Sequence, residues 1–406
     1  MTIGPDHDGA LALAAGAAQV LPQGGLEAAL GRSQRDARPL RVKFGIDPSG
    51  TELTLGHAVV LRKLRQFQDA GHSAVLVIGD FTATIGDPTG RSTGRNTMTL
   101  EQTTANARTY LEQAALVLRR DRMEVRRNTE WLADMTLEEI LGHARTVTVA
   151  QLLERDDFAA RYRQHRPLAL SEFFYPLLQA IDSVAVGADV ELGGADQLFN
   201  LALGRDVQRV VGQEPQVVLT MPLLVGLDGT EKMSKSLGNY VALTEPAPEQ
   251  FGKLMSIPDR LVGRYAQACT SLSKTDISAL IADVDEGGPE AGRAKRALAR
   301  AVVTIYHGEQ RARRAEADFD VRFRDRTVPQ DVPTVALPDD AEVHLPALLT
   351  AAGLCSSRTE ARRLIDAGAV RLDGHTLPSG AYTRFREELA GRVIQIGRRR
   401  AARLER

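Results

Sequence analysis

Residues 41–46, RVKFGI, run into Asp47-Pro48-Ser49-Gly50 and then into Thr54-Leu55-Gly56-His57. An apolar run of strand length, a turn built on proline and glycine, and apolar residues at helical spacing from Gly56 to Ala70 read as strand, turn and helix. Residues 73–79, SAVLVIG, supply a second buried strand and complete a strand-helix-strand unit. Alternation continues with a helix around Leu100 to Leu118, a strand at Met123 to Arg126, a helix around Ser171 to Ala185, a strand at Asp189 to Leu192 and a helix from Ala195. Such alternation predicts an α/β fold with a doubly wound, Rossmann-like parallel sheet, in which ligands bind beyond the carboxyl ends of the strands.

Outward from this unit, residues 1–39 are expected to form a helical lead-in and residues 40–240 the sheet-bearing domain. After Asn239 the pattern turns helical, with segments at Pro248 to Met255, Asp259 to Ala268, Lys274 to Asp283 and a long one from Glu290 to Phe323, so residues 241–326 read as an α-helical domain. Residues 327–342 carry turn residues without periodicity and read as a linker. Residues 343–406 then offer two short amphipathic helices, Leu345 to Ala352 and Ser357 to Ala367, and a strand, a small α+β domain.

The 406 residues suffice for two to three domains, and no apolar run approaches the ~18 residues that cross a bilayer. Asp6 and Asp8 stand where an export signal needs a basic start, so a cytoplasmic protein without membrane attachment is expected. Cys269 and Cys355 are the only cysteines, which excludes a disulfide framework and a cysteine-based zinc cluster; no protein-bound metal is expected. The net charge of −1 hides an asymmetry. Residues 343–406 carry 12 Lys+Arg against 6 Asp+Glu, net +6, on a body of net −7, a layout that suits a catalytic domain with an RNA-binding attachment. The last stretch, Gly397 to Arg406, reads as a disordered basic tail.

Lys232-Met233-Ser234-Lys235-Ser236 lies between Asp228-Gly229 and Gly238-Asn239, two tight turns. Two lysines on such a loop suit a mobile clamp for a polyphosphate, because lysine presents a compact point charge to phosphate oxygens. Gly56 and His57 open a helix, whose bare N–H groups form an anion site; taken alone, His57 reads as a surface histidine at a helix start. Gly86-Asp87-Pro88-Thr89-Gly90-Arg91-Ser92 resembles a P-loop superficially, but it is one residue short and has Arg91 in place of lysine. It reads instead as a turn that holds Asp87 at a strand mouth, with Arg91 and Arg95 on a loop. Tyr175, Gln179 and Asp182 share one face of a helix, a polar stripe that needs either a ligand or core partners. Gly193-Gly194-Ala195-Asp196-Gln197 ends a strand and opens a helix, where Asp196 serves a ribose or substrate, or caps the helix.

In order, KFGIDPSG, TLGH, GDFTATIGDPTGRS, YPLLQAID, ELGGADQ and EKMSKSLGN resemble the bacterial tyrosyl-tRNA synthetases, class I enzymes, from about Leu40 to the C-terminus. Leu345 to Gly374 resembles the RNA-binding module of a small-subunit ribosomal protein, with Arg358, Arg362, Arg363 and Arg371 as its expected RNA contacts. The resemblance implies ATP-dependent activation of L-tyrosine and its transfer to tRNA(Tyr), with Mg²⁺ carried by ATP, in a homodimer. It assigns the phosphates to His57, Thr54, Lys232, Lys235, Arg91 and Arg95. Tyrosine falls to Lys43, Asp87, Tyr175, Gln179, Asp182 and Gln197, with Asp182 on the phenol. The nucleotide falls to Gly45, Asp47, Gly56, His57, Gly193, Gly194, Asp196 and the loop Lys232, Met233, Ser234 and Lys235. Thr54 departs from the pattern, since relatives carry a histidine there, and Lys43 stands where some relatives have a tyrosine. Thr54 motivates the alternative of a synthetase-like paralogue that binds RNA or activates a tyrosine analogue.

Overall fold

A computed structural model of the chain describes residues 5–89, 98–323, 332–397 and 400–405. The chain divides into two compact units, Met1–His307 and Gly308–Arg406. In the first, β1 (Gln19–Leu21), β2 (Arg41–Ile46), β3 (Ser73–Ile78), β4 (Met123–Arg127), β5 (Val190–Gly194) and β6 (Val217–Met221) form one sheet in the order β1-β6-β5-β2-β3-β4. Strands β2 to β6 are mutually parallel, and β1 joins the edge antiparallel to β6. Buried runs such as Ala74 to Ile78 and Val217 to Leu219 reflect a sheet covered on both faces.

The helix Leu55–Asp69 packs on β2, β3 and β5, while Leu198–Val210 packs on β5 and β6. Right-handed crossovers leave β2 and β5 in opposite directions, so their helices cover opposite faces and a crevice opens at the carboxyl ends of these two strands. Helix Leu170–Val186 lies along Leu198–Val210 and stops at Gly187, whose φ of 56° is the left-handed conformation that glycine adopts without strain. The helices Ala247–Ser256, Val262–Cys269, Lys274–Glu286 and Gly288–His307 follow in the same unit.

In the second unit, β7 (Thr334–Ala336), β9 (Val370–Leu372), β10 (His375–Thr376), β12 (Val393–Ile396) and β13 (Arg400–Glu405) form a sheet in the order β10-β9-β12-β13-β7, beside a ribbon of β8 (Glu342–His344) and β11 (Thr383–Phe385). Helices Leu345–Ala351 and Arg358–Asp366 share its core with Ile365, Val370, Ile394 and Leu404.

Several expectations need correction. The lead-in is not purely helical, because Gln19–Leu21 pairs with β6. The segment expected to be one helix from Glu290 to Phe323 is two, Gly288–His307 and Glu309–Phe323, interrupted at Gly308 with φ of 84°. The division into units falls there, inside the stretch expected as the helical domain. Within the expected linker, Thr334–Ala336 is a strand parallel to β13. The expected basic tail contains β13, which runs between β12 and β7 with Ala402 and Leu404 buried. Arg403 between them and the arginines Arg398 to Arg400 just before concealed that alternation from a reading of composition. Among the described residues no helix is long and apolar enough to cross a membrane.

Candidate active site

A cleft of about 1170 Å³ opens where β2 and β5 end. Its walls bring together Gly45, Asp47, Thr54, Gly56, His57, Asp87, Tyr175, Gln179, Asp182, Gly193, Gly194, Asp196, Gln197 and the loop Lys232, Met233, Ser234 and Lys235, drawn from residues far apart in sequence. Arg91 and Arg95 lie outside the described residues. A second hollow, of about 720 Å³ beside Leu13, Leu30 and His72, holds none of these motifs.

At the floor, Asp182 accepts from Trp131 Nε1 at 2.9 Å and Asn128 Nδ2 at 3.4 Å. Burial raises its carboxyl from 3.8 to about 7 against the opposing pull of Lys43 and these two donors. Asp182 is thus a desolvated acceptor beside aligned donors, a site that rewards a ligand hydroxyl. Trp131 and Asn128 escaped the sequence reading, although Asn128 directly follows β4 and so stands at a strand mouth like the motif residues.

Lys43 is a correction. Rather than lining the cleft, it is fully buried and ion-paired with Glu191 at 2.9 Å, with further donations to Ser183 Oγ at 2.7 Å and the Gln179 carbonyl at 2.9 Å. Such a buried pair is stable only when its remaining polar atoms are bonded, and Ser183 and Gln216 serve Glu191. Lys43 therefore acts on Asp182 through the field, at one remove from any ligand.

Asp47 accepts from Tyr175 Oη at 2.9 Å and Thr82 Oγ1 at 2.9 Å, tying β2 to the Leu170–Val186 helix. Burial, with Asp47 and Asp87 nearby, raises the Tyr175 phenol well above its ordinary value, so it stays a neutral hydroxyl. Gly79 packs against Asp47 so closely that a Cβ there would lie 2.0 Å from Asp47 Oδ1. Asp87 accepts from Gln197 Nε2 at 2.8 Å and the Thr89 amide at 2.9 Å.

His57 sits in the first turn of its helix, where the Thr54 amide donates to Nδ1 at 3.2 Å. An amide nitrogen can only donate, so Nδ1 is unprotonated, the Thr54 hydroxyl 2.9 Å away donates to it as well, and the ring proton resides on Nε2. Burial, then the charge of Lys235, lowers His57 to about 3. His57 is a neutral N–H donor. Thr54, expected to serve phosphate, instead turns its hydroxyl to His57.

The lysine loop is tethered at both ends. Asn239 Oδ1 accepts from the Ser234 amide at 2.8 Å, and its Nδ2 donates to the Lys232 carbonyl at 3.2 Å and to Asp228. Lys232 pairs with Asp196 at 2.8 Å, across the cleft mouth. Lys235 donates to the Glu52 carbonyl at 3.1 Å and to Tyr110 Oη at 2.5 Å, its ammonium close to bare Gly50. Both lysines are partly exposed, so phosphate oxygens, which offer a full counter-charge, can replace these partners.

Comparison with known proteins bears on this geometry. The family of tRNA synthetases class I (W and Y) matches residues 35–324, and the S4 domain matches residues 344–382. The tyrosine–tRNA ligase of Symbiobacterium thermophilum is 50% identical over 381 residues, 92% of each chain, and that of Moorella thermoacetica is 46% identical over 390 residues, 96% of this chain and 94% of the relative. In fold, the chain resembles a solved tyrosyl-tRNA synthetase complexed with L-tyrosine from Archaeoglobus fulgidus, with a TM-score of 0.61 at 23% identity over 77% of this chain and 99% of that one. With matches that span nearly its whole length, the chain belongs to the class I tRNA synthetases of the W and Y group and, within them, to the tyrosine–tRNA ligase family.

Proposed function

We propose that this protein activates L-tyrosine with ATP and transfers the tyrosyl group to the 3′ end of tRNA(Tyr). The observation that carries this reading is one cleft joining buried Asp182 at its floor to His57, Lys232 and Lys235 at its mouth. Tyrosine carboxylate attacks the α-phosphorus of ATP and pyrophosphate leaves. A ribose hydroxyl of tRNA then attacks the tyrosyl carbonyl and AMP leaves. Catalysis rests on positioning and charge neutralisation rather than a covalent enzyme intermediate.

Asp182 accepts the phenol hydrogen bond, and Asp87, Tyr175, Gln179 and Gln197 hold the α-ammonium. Gly45, Gly56, Gly193 and Gly194, with no side chain beyond a hydrogen, let the nucleotide approach the backbone. His57 donates through Nε2–H to the phosphates, and Lys232, Lys235, Arg91 and Arg95 neutralise them together with the Mg²⁺ that accompanies ATP. Asp196 exchanges Lys232 for the ribose, while Asp47 keeps Tyr175 in place. Arg358, Arg362 and Arg363, exposed on the Arg358–Asp366 helix, and Arg371 on β9 supply cations to tRNA. The paralogue alternative is not favoured, since the curated relatives align over almost the full chain.

Exposed Leu137, Leu141, Val149, Tyr162 and Leu170 support a homodimer through this stretch, which sedimentation of the wild type against Leu137→Glu will test. The two buried, unpaired cysteines suit the cytoplasm. Tyrosine-dependent ATP–pyrophosphate exchange and charging of tRNA(Tyr) test the function as a whole. Exchange that is indifferent to tyrosine overturns it.

A further inference from the structure

Arg155 belongs to no motif, yet its side chain is buried and fully engaged. Asp157 holds it through two bonds, at 3.1 and 2.9 Å, and it donates to Asn200 Oδ1 at 3.1 Å and Thr89 Oγ1 at 3.1 Å. Asn200, only 1% exposed, donates in turn from Nδ2 to Gln179 Oε1 and Gln197 Oε1, both at 3.0 Å. Each amide orientation here is forced by the one before it. A guanidinium only donates, so Asn200 must turn its oxygen to Arg155 and its NH₂ to the two glutamines. Both glutamines must then turn their oxygens to Asn200 and their NH₂ groups away. Gln197 thereby meets an acceptor, Asp87 Oδ2, at 2.8 Å.

We propose that Arg155 and Asn200 are positioning residues that set the hydrogen-bond polarity of the pocket for the amino-acid α-ammonium. Oxygens rather than amide hydrogens are what an ammonium requires, and Gln179 Oε1 is held by Asn200 in the required sense. The proposal rests on the tyrosine reading of the cleft given above.

Asn200→Asp is the test, because it keeps the shape and still accepts from Arg155 but presents an acceptor to both glutamines. Each glutamine must then rotate, which puts NH₂ where the Gln179 oxygen stood and sets that oxygen against Glu191, to which Gln179 Nε2 donates at 3.4 Å in the wild type, and sets the Gln197 oxygen against Asp87. Trp131 is the only tryptophan and bonds Asp182, so its fluorescence reports binding at the cleft floor. The expected result is a Kd and KM for tyrosine raised roughly ten- to hundred-fold, the loss typical of a charge-assisted hydrogen bond. KM for ATP should stay within about twofold of wild type, and 3-(4-hydroxyphenyl)propionate, which lacks the ammonium, should bind both proteins alike. Equal tyrosine affinity in the two proteins, or equal losses for tyrosine, ATP and the desamino analogue, overturns the proposal. If Asn200→Asp does not fold, Arg155→Lys, which cannot serve Asn200 and Thr89 together, is expected to show the same tyrosine-only loss, and its absence is equally decisive. A wild type whose fluorescence ignores tyrosine overturns the underlying site reading instead.

Discussion

Asp182 combines a structural cost with a recognition role. Its carboxyl titrates at about 7 in the fold against 3.8 when solvated, so its contribution to stability is complete below about pH 4 and is lost as pH rises through about 7. The ionised form weakens the fold by on the order of 4 kcal/mol relative to the protonated one. Asp182→Asn is therefore expected to gain stability over wild type as pH rises across that window, as measured by denaturant melts at successive pH values. In the same variant, selection of tyrosine over phenylalanine should collapse, and the wild-type selectivity should sharpen between about pH 6 and pH 8 as the carboxylate forms. Flat selectivity in pyrophosphate exchange across that range contradicts this role. His57 behaves in the opposite sense. Its lowered value of about 3 keeps it neutral, so the exchange rate should show no limb near the ordinary histidine value that His57→Asn removes.

Gly79 and Asn239 matter through the elements they join. A methyl at position 79 meets Asp47 Oδ1 at 2.0 Å and Thr82 Oγ1 at 2.5 Å, and because β3 lies hydrogen-bonded to β2 the backbone holds its place and these side chains must move instead. Gly79→Ala is expected to lower exchange by at least about a hundred-fold through displaced Asp47 and Tyr175, with helical circular dichroism retained. Asn239 ties the lysine loop to its own base. Asn239→Ala releases the Ser234 amide and the Lys232 carbonyl, and should raise KM for ATP roughly ten-fold while the tyrosine Kd holds. A parallel rise in both constants indicates general unfolding of the site instead.

At the scale of the molecule, the charge asymmetry and the two units imply separable tasks. The Met1–His307 unit contains every described residue of the cleft, so a chain ending at His307 should keep tyrosine-dependent exchange and lose tRNA charging. Loss of both activities contradicts that separation, as exchange and charging assays on the full chain and on the chain ending at His307 will reveal. Single replacement of Arg358, Arg362, Arg363 or Arg371 by glutamine should each flatten the salt dependence of tRNA binding by roughly one ion, as expected for phosphate contacts.

Local patterns carried much of this: the strand-helix-strand unit around residues 41–79, the glycine-backed turns and the polar stripe Tyr175, Gln179 and Asp182 were all legible, because strand and helix periods and turn chemistry act over a few residues. What escaped was decided by contacts between distant residues. Lys43 looked like a ligand group until Glu191 neutralised it, Thr54 until His57 took its hydroxyl, and the arginine-rich end looked unstructured until β12 and β7 accepted it as a strand. The partners of a buried polar group are chosen by the fold, since desolvation forces each donor to find an acceptor wherever the chain brings one.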